Sequence, residues 1–520
     1  MPGREHEVAS RDEIARAGML PAEIDGEKIL LVADANGVHA IGATCPHAGG
    51  PLAEGVRHGD RVICPWHKAA FCVRSGHVLE PPALDALPRY AVRIDRQRVF
   101  VTLPAEPANP PSPKADARCF VIVGGGAAGA VAAQTLRELG FGGRVVMLDQ
   151  SNRVPYDRTV LSKYFLSGQP CGEKSPLQSQ DFYRRHGIER RTATVDAVDV
   201  RERRITCTDG SCIHYDAALL ATGGVPRRPK LPGAELGNVF LLRSRADADA
   251  ILAQAERSQR AVILGASFIG MEAAASLRER GLDVTVAAQE STPFAKQLGT
   301  RIGATLRTLH EQRGVVFRLG CNVAALAGDR DVRSVVLDNG EHIPADLVVL
   351  GFGVSPATSY VRGLRLNDDG GIPVDAHLRA ADGLYAAGDI AAFPHRGDGD
   401  PVRVEHWRVA EQHGRIAAHN MAGHTARYTA VPVFWTIQYL KRLDYIGHAD
   451  SWDDIVVHGD LATPKFLAYY IKDGKVVAVV GMDRDQDTVA LIELLSLRRD
   501  WTQEELGDSP AARLAAGAAT

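Results

Sequence analysis

The hydrophobic pattern of the first hundred residues predicts a small all-β domain. Short apolar runs alternate there with turn pairs such as Asp25-Gly26 and Asn36-Gly37, which is typical of antiparallel hairpins. The expected strands are 28–32, 38–41, 61–63, 91–94 and 99–103. A stretch with five prolines follows between residues 104 and 117, and it predicts an extended, semi-rigid linker.

The pattern changes after this linker. An apolar strand at 119–123, a glycine cluster and a helix at 130–139 precede a second strand at 144–148. About 140 residues later the same order returns at 261–264, 265–270, 271–280 and 283–287. The repeat predicts two βαβ units of the doubly wound α/β type, in which the strand–glycine–helix turn binds a dinucleotide.

The last ninety residues have a third pattern. Two apolar runs, 466–471 and 476–481, flank a polar turn and predict a hairpin, and a helix is expected at 488–497. This favours an α+β domain. The Ala- and Gly-rich end, 509–520, is expected to be a flexible tail.

Composition narrows the class of protein. The 520 residues carry a net charge of −3, which gives no electrostatic footprint for nucleic acid or an anionic membrane. No apolar run approaches the roughly 20 residues that span a bilayer, and residues 1–20 contain no secretory signal. Eight cysteines are too few for a disulfide scaffold, so we expect a cytoplasmic, reducing location.

Four of the possible metal ligands occur in two short motifs. Cys45-Pro46-His47 is separated by sixteen residues from Cys64-Pro65-Trp66-His67. A Rieske [2Fe–2S] cluster needs two thiolates on one iron and two imidazoles on the other, so each loop supplies one of each. We predict these two cysteines and two histidines as cluster ligands. A Cys2His2 zinc site is the alternative, but zinc fingers place their histidines on a helix, and neither loop has a helical pattern.

These motifs resemble the ferredoxin-type Rieske domains, and the resemblance covers residues 5–103. High-potential relatives have a disulfide beside the cluster, and its positions correspond to Gly50 and Trp66 here. Lys68 stands where the relatives usually have Gly, and no hydroxyl residue follows His67. The resemblance therefore implies a reduction potential at the lower end of the Rieske range, with Lys68 offsetting part of the decrease.

The first βαβ unit carries a complete dinucleotide fingerprint. Gly124, Gly126 and Gly129 follow an apolar strand and open a helix, which permits a tight turn and close approach of a pyrophosphate. Asp149 ends the next strand, where an acid accepts hydrogen bonds from a ribose. This predicts a dinucleotide site.

Further segments identify the dinucleotide by resemblance. Strand ends at 221–223 (Ala221, Thr222, Gly223) and at Asp389 resemble those of the two-dinucleotide-binding flavoproteins, which implies FAD with Asp389 on its ribityl chain. The segment 155–163 resembles oxygenase-coupled ferredoxin reductases and apoptosis-inducing-factor-like flavoproteins, in which the equivalents of Arg158 and Lys163 line the flavin. Residues 150–170 contain no Cys, so the redox pair of the disulfide reductases is missing.

The second βαβ unit is expected to bind the nicotinamide dinucleotide. Gly265, Ser267 and Gly270 repeat the fingerprint, and Gly353 ends the strand that returns to the flavin domain, where it approaches the nicotinamide. The resemblance implies that Glu272 lies near nicotinamide and flavin and pairs with Lys163; an ordinary carboxylate at a helix start is the alternative.

The choice between the two nicotinamide cofactors is left open by the second unit. Ala288 stands where the first unit has Asp149, with Glu290 two residues further on. No arginine cluster for a 2′-phosphate follows. The residues favour NADH and leave NADPH open.

His406 and Trp407 begin a helix expected to run to residue 418. In the resembling family the N–H groups of this helix start face the flavin pyrimidine, which makes both residues site candidates; a core position for Trp407 is the alternative. The segment 431–436 resembles the motif that opens the C-terminal domain, whose aromatic residues approach the flavin from the other side.

Over residues 5 to about 500 the chain resembles apoptosis-inducing-factor-like flavoproteins that carry an N-terminal Rieske domain. This implies an NAD(P)H-dependent reductase, with Lys163 and Glu272 as catalytic residues. FAD receives a hydride and passes single electrons to the chain's own cluster and on to an unidentified acceptor protein, an oxygenase or a cytochrome. The alternatives are a redox-responsive NADH-binding interaction protein and an NADH oxidase with a regulatory cluster.

The expected organisation is multidomain. The segments are a Rieske domain at 1–104, a linker at 105–117, an FAD domain at 118–235 and 354–428, an NAD(P)H domain at 236–353, a C-terminal interface domain at 429–508 and a flexible tail at 509–520.

Overall fold

The structure, a computed structural model, describes residues 3–106, 114–169, 176–395, 401–498 and 500–517. The proline-rich part of the predicted linker, 107–113, lies outside the described residues. Within the described ranges no helix combines the length and the apolar character needed to cross a membrane.

The N-terminal region is built almost entirely from strands. Its elements are β1 Arg4–Ser10, α1 Arg11–Ala17, β2 Met19–Ile24, β3 Glu27–Asp34, β4 Gly37–Gly42, β5 Val56–His58, β6 Arg61–Ile63, β7 Ala70–Cys72, β8 Val78–Glu80, β9 Arg89–Asp95 and β10 Arg98–Glu106. They form a six-stranded sheet in the order β1-β10-β9-β4-β3-β2 and a four-stranded sheet in the order β5-β6-β7-β8. All five predicted strands are confirmed. The pattern missed α1, whose signal is the capping box of Ser10 and Glu13.

The first α/β region follows. Its elements are β11 Cys119–Val123, α2 Ala127–Glu138, β12 Arg144–Asp149, α3 Gln180–Arg185, β13 Ile188–Thr192, β14 Val195–Asp199, β15 Arg204–Cys207, β16 Cys212–His214, β17 Ala217–Leu220 and β18 Gly224–Pro226. Between β12 and α3 the chain forms a 3-10 turn at Arg158–Val160 and a π-helical turn at Leu161–Phe165.

The second α/β region contains β19 Val239–Leu241, α4 Arg245–Ala255, β20 Arg260–Leu264, α5 Phe268–Glu279, β21 Asp283–Ala288, α6 Ala295–Glu311, β22 Val316–Leu319, β23 Val323–Gly328, β24 Val332–Leu337, β25 His342–Pro344, β26 Leu347–Leu350 and β27 Val354–Pro356. Its main sheet has the order β19-β26-β20-β21-β22 and is parallel throughout. The chain then returns to the first region through β28 Val361–Arg362, β29 Ile372–Pro373, β30 Arg379–Ala381, β31 Leu384–Ala386, β32 Ala391–Pro394, β33 Pro401–Arg403 and α7 Trp407–Met421.

The first α/β sheet is completed by this returning segment. Its order is β13-β12-β11-β17-β31-β30, so β31 lies beside β17 although the whole second region separates them in sequence. Both βαβ units are confirmed, but α2 and α5 begin three residues earlier than predicted. The reason is that the last glycine of each fingerprint belongs to the first helical turn.

The C-terminal region is an antiparallel sheet covered by helices. Its elements are β34 Val433–Gln438, β35 Lys441–Gly447, β36 Asp454–Asp460, β37 Lys465–Lys472, β38 Lys475–Met482, α8 Asp485–Leu497, α9 Gln503–Leu506 and α10 Pro510–Ala515. The sheet order is β34-β35-β38-β37-β36, and β37 and β38 form the predicted hairpin.

The flexible tail expected at 509–520 is a correction. Residues Pro510–Ala515 form α10, because Ser509 caps its start and Leu514 is buried with the apolar side chains of α8. Composition alone hid this single apolar anchor. Residues 518–520 lie outside the described residues.

Candidate functional site

The two predicted cluster loops have the same backbone form. The N–H of Cys45 donates to the carbonyl of Gly50 at 2.8 Å, and the N–H of Cys64 donates to the carbonyl of Ala69 at 2.8 Å. Each loop also turns back through a left-handed residue four positions after its cysteine, with φ 82° at Gly49 and 64° at Lys68. Both loops therefore hold their cysteine in the same backbone turn, with the histidine two residues later in the first loop and three residues later in the second.

The four predicted ligands come together as two pairs. Cys45 and Cys64 are 2% and 1% exposed and their thiols are hydrogen-bonded, while the rings of His47 and His67 lie with centroids 4.8 Å apart. In the described part of the chain, no three His, Cys, Asp or Glu side chains converge as they would around one metal ion. A thiol pair beside an imidazole pair fits the two irons of a Rieske cluster, so these residues can hold it.

Backbone donors surround the second cysteine. The thiol of Cys45 and the N–H groups of Trp66 and His67 lower the pKa of Cys64 to about 7, against the opposing effect of burial. Such N–H groups favour the thiolate, which is the form that binds iron. Gly50 lies against the same sulfur: a Cβ on it would stand 2.7 Å from Cys64 Sγ.

The glycines of the first βαβ unit are there for close backbone approach. Gly124 has φ 108°, and a Cβ on Gly129 would stand 1.9 Å from the carbonyl oxygen of Gly124. Gly126 is the N-cap of α2, so the first N–H groups of that helix are open toward a bound anion. The unit therefore fits a pyrophosphate at the helix start.

Two charged side chains border this helix start. Asp149 ends β12 and accepts from the N–H of Gly125 at 2.9 Å, which aims the carboxylate at the glycine turn. Arg158 extends toward Gly126, with Nη2 4.0 Å from the place where a Cβ of Gly126 would stand. The structure therefore places both side chains at the same glycine turn.

Asp389 has a partner that the sequence did not indicate. Its Oδ2 accepts from Arg243 Nη2 at 2.8 Å, and Gly223, with φ 67°, borders both side chains. Thr222 is turned away from them, since its hydroxyl donates to the carbonyl of Ala357 at 2.7 Å. Ala221 precedes it at the end of β17, where its carbonyl lies against Gly124.

Lys163 and Glu272 form the buried pair expected from resemblance. Lys163 Nζ lies 3.2 Å from Glu272 Oε2, and the two side chains are 8% and 3% exposed. Ser162 donates to the same oxygen at 2.5 Å, and Thr436 donates to Glu272 Oε1 at 2.7 Å. These contacts join the first α/β region, the second α/β region and the C-terminal region at one carboxylate. An ordinary helix-start carboxylate would be solvated, so that alternative does not describe Glu272.

The second βαβ unit repeats the geometry of the first. Gly265 has φ 106°, and a Cβ on Gly270 would stand 2.4 Å from the carbonyl oxygen of Gly265. Ser267 is the N-cap of α5, and its hydroxyl donates to the carbonyl of Gly351 at 3.3 Å. Gly353 has φ 74° and open space around its Cα. The unit can hold a second dinucleotide.

The start of α7 meets aromatic side chains from two other regions. His406 is the N-cap, and its ring lies 4.2 Å from that of Phe434 in β34. Phe434 also contacts Phe268 at the start of α5, with centroids 4.8 Å apart. Burial lowers the pKa of His406 to about 3, so the imidazole is neutral. Trp407 is partly buried and packs against the core of the first α/β region. This agrees with the core position that the sequence offers as the alternative to a site role.

The second cluster loop is docked onto the reductase regions. The ring of His67 contacts Trp435 of β34 with centroids 4.7 Å apart. Arg408 of α7, 2% exposed, donates to the carbonyls of Pro81 at 3.0 Å and Lys68 at 3.2 Å and pairs with Glu80. The N-terminal region therefore lies with its second cluster loop against α7 of the first α/β region and against β34 of the C-terminal region.

Sequence reasoning missed Arg243, Arg408 and Asp444 as site residues. Arg408 follows Trp407 directly, and a cation in the first turn of a helix opposes the helix dipole, which is a signal that the sequence carries. Arg243 and Asp444 stand in ordinary surroundings in the sequence, and their partners lie 146 and 376 positions away, the second being Lys68.

Comparison with known families agrees with this geometry. Residues 119–414 match the family described as "Pyridine nucleotide-disulphide oxidoreductase", residues 4–91 the "Rieske [2Fe-2S] domain" and residues 433–516 "Reductase C-terminal". Together these imply FAD, NAD(P)H and a [2Fe–2S] cluster, which the residues described above fit.

One similar protein matches nearly the whole chain, and another matches 71% of it. Apoptosis-inducing factor 3 of Mus musculus is 36% identical over 513 residues, covering 95% of this chain and 84% of the relative. The 5,5'-dehydrodivanillate O-demethylase ferredoxin reductase subunit of a Sphingobium species is 37% identical and covers 71% of this chain and 91% of its own length.

Solved structures resemble the reductase part. A chain from the covalent putidaredoxin reductase–putidaredoxin complex has a TM-score of 0.73 at 28% identity and covers 78% of this chain and all of its own length. The ferredoxin reductase for the CYP199A2 system of Rhodopseudomonas palustris has a TM-score of 0.72 at 29% identity, with coverage of 77% and 100%.

Proposed function

The chain belongs to the pyridine nucleotide-disulphide oxidoreductase family, and from this premise we propose that it passes electrons from NAD(P)H through FAD to its own Rieske cluster. A separate one-electron acceptor protein then takes them from the cluster. In this scheme the bound flavin converts a two-electron hydride donor into a source of single electrons. One similar structure is a covalent complex of putidaredoxin reductase with putidaredoxin, whereas here the cluster domain is part of the same chain.

One observation carries the proposal: strand β34 lies between the cluster loop and the flavin side. Successive side chains of a strand point to opposite faces. Phe434 faces His406 and Phe268 at the two helix starts, while Trp435 faces His67. Adjacent residues of one strand thus contact the expected flavin surroundings and a cluster ligand.

The proposed roles follow from the geometry. Gly124, Gly126 and Gly129 admit the FAD pyrophosphate, Asp149 takes a ribose and Asp389 the ribityl chain, with Arg243 orienting Asp389. Lys163 is held by Glu272 at the meeting point of the flavin and nicotinamide regions, so the pair orients the nicotinamide against the flavin. Cys45, His47, Cys64 and His67 bind the cluster.

We also propose that the protein works in the cytoplasm. The seven described cysteines are all free thiols, which fits a reducing compartment. The acceptor is expected to be a redox protein such as an oxygenase component or a cytochrome, because an isolated cluster hands over one electron at a time.

The test is an anaerobic NADH titration followed by visible absorption and low-temperature EPR. We expect the flavin to bleach and the Rieske signal of the reduced cluster to appear. Cys64→Ser should lack the Rieske signal and lose one-electron delivery to a cytochrome, while NADH still bleaches the flavin. Cys72→Ser, outside both loops, serves as the matched control and should behave as wild type.

A cluster that dithionite reduces but NADH does not, in protein whose flavin is fully bleached, would contradict the proposed path. Cytochrome reduction that continues undiminished in Cys64→Ser would also contradict it. Either result favours an NADH oxidase or a redox-responsive binding protein in which the cluster is regulatory.

A further inference from the structure

The two cluster loops meet the same backbone requirement with different residues. Both need a left-handed residue four positions after the cysteine, and loop one meets this need with Gly49. Loop two has Lys68 there, with φ 64°, although side chains with a Cβ disfavour this conformation. A lysine at such a position calls for a compensating contact.

That contact is made across the domain boundary. Lys68 is 1% exposed, and its Nζ lies 2.8 Å from Oδ2 of Asp444 in β35 and donates to the carbonyl of Pro65 at 2.6 Å. Asp444 is 3% exposed. A buried, paired lysine directly after a cluster ligand therefore reaches into the C-terminal region.

The pair stands beside the His67 contact. Asp444 of β35 is directly opposite Trp435 of β34, so both side chains lie on the same face of the sheet. Consecutive loop residues, His67 and Lys68, thus contact opposed residues, Trp435 and Asp444. The ion pair therefore lies next to the contact between the cluster ligand and Trp435.

Further charges complete this interface. Arg442 donates to the carbonyl of Pro65 at 3.1 Å and pairs with Asp444 at 3.2 Å. Arg442 also pairs with Asp485, and on the other side Arg408 pairs with Glu80 at 2.6 Å. Each of the cations Lys68, Arg442 and Arg408 therefore has a carboxylate partner, which is the condition under which buried charges are tolerated.

We propose that Lys68 is a positioning residue for electron transfer within the chain, holding the second cluster loop against the C-terminal region through Asp444. The proposal rests on the proposed path from flavin to cluster. The cluster domain stays docked during turnover, and His67 faces Trp435 without a diffusional search.

The experiment is anaerobic stopped-flow mixing of the holoprotein with NADH, recording flavin and cluster reduction separately. The variants are Lys68→Met, Lys68→Gly, Asp444→Leu and the double variant Lys68→Met/Asp444→Leu. Lys28→Met, an exposed lysine of the same region, is the control. Iron content, visible spectrum and cluster potential are measured for each variant, so that loss of cluster or of driving force is recognised.

Flavin reduction by NADH should keep its rate in every variant. The flavin-to-cluster rate should fall about tenfold or more in Asp444→Leu, which leaves the Lys68 ammonium buried without a carboxylate. Lys68→Met should lose less of the rate, because Arg442 still pairs with Asp444. The double variant should recover most of the rate lost in Asp444→Leu, since it also removes the buried ammonium, and Arg442 keeps its pair with Asp485. Lys68→Gly should also be slow, although glycine suits the backbone, which separates the ion pair from loop strain.

Single variants that keep their cluster, its potential and the wild-type flavin-to-cluster rate would overturn the proposal. A second readout does not depend on electron flow. Amide hydrogen exchange at 64–69 and 441–447 should become faster in the single variants, and unchanged exchange there would also overturn it. If NADH fails to reduce the cluster in wild-type protein while the exchange result holds, the proposed function fails and the docking contact stands.

Discussion

The two βαβ units of this protein share a backbone and differ in side chains. The first glycine has φ 108° in one unit and 106° in the other, and the last glycine packs on the carbonyl of the first in both. The strand that follows the helix ends at Asp149 in the first unit and at Ala288 in the second. The glycine turn is thus conserved within the chain, and the acid is not.

These features fit different parts of a dinucleotide. A bare helix start receives phosphate in either unit, because only backbone N–H groups are needed. Ribose recognition needs a side chain, which only Asp149 supplies at that position. In exchange, α5 presents Glu272 two residues after its last glycine, where α2 has the apolar Val131. The second unit therefore lacks an acid at the end of its second strand and has one in the first turns of its helix.

The largest expected effects come from disrupting the glycine turn of one βαβ unit at a time. Even a Cβ on residue 129 would stand 1.9 Å from the carbonyl oxygen of Gly124, so we expect Gly129→Val to give protein without FAD and without NADH oxidation. Gly270→Val should keep its flavin and cluster, which dithionite still reduces, and lose reduction by NADH. Flavin content and anaerobic bleaching measure both. Retention of FAD by Gly129→Val would show that the turn does not hold the pyrophosphate.

A second prediction concerns the stability of the second α/β region at acid pH. His310 of α6 is buried against Gln438 of β34 at 2.7 Å, and burial lowers its pKa to about 4. The unfolded chain binds this proton near pH 6.5 and the folded chain only near pH 4, so stability present above pH 6.5 is lost as pH falls through that window. The full loss is about 3 kcal/mol.

Urea unfolding at pH 7.5 and pH 4.5 measures this effect. His310→Gln removes the titrating group, so its stability should depend less on pH than that of wild type. His342→Gln, an exposed histidine of the same region, is the control and should leave the pH dependence unchanged. Equal pH dependence in wild type and His310→Gln would contradict the prediction.

The third prediction sharpens the ribose comparison in the first unit. Asp149→Ala removes a charged acceptor, which is worth about 2 kcal/mol or roughly 30-fold in FAD affinity. Asp149→Asn should lose less, because it still accepts a hydrogen bond. FAD titration of the apoprotein gives both constants. An unchanged affinity in Asp149→Ala would mean that FAD binds without this acid.

The smallest expected effect restores the missing acid in the second unit. Ala288→Glu places a carboxylate at the end of β21, so the ratio of kcat/KM for NADH over NADPH should rise about tenfold. Glu290, 3.8 Å from Lys296, is the other acid nearby. If Glu290→Gln raises the KM for NADH and Ala288→Glu changes nothing, Glu290 is the ribose ligand instead.

Much of the site could be predicted because it is written in short motifs. The cluster ligands, the glycine fingerprints and Asp149 act through backbone turns a few residues long, so spacing alone locates them. Helix starts were misplaced by three residues, because glycines that look like loop residues lie inside the first turn. The prediction of a flexible tail was wrong because the buried Leu514 packs α10 against α8, although the segment is rich in Ala and Gly.

Short motifs in the sequence are enough to indicate which cofactors the chain can hold, because ligand spacing and turn geometry are local properties of the chain. Only the tertiary structure decided how the cluster domain meets the reductase. The pairs Lys68–Asp444, His67–Trp435 and Arg408–Glu80 join residues more than 300 positions apart. Nothing local marks such pairs, because burying a charge is favourable only once the fold has brought its partner to the same place.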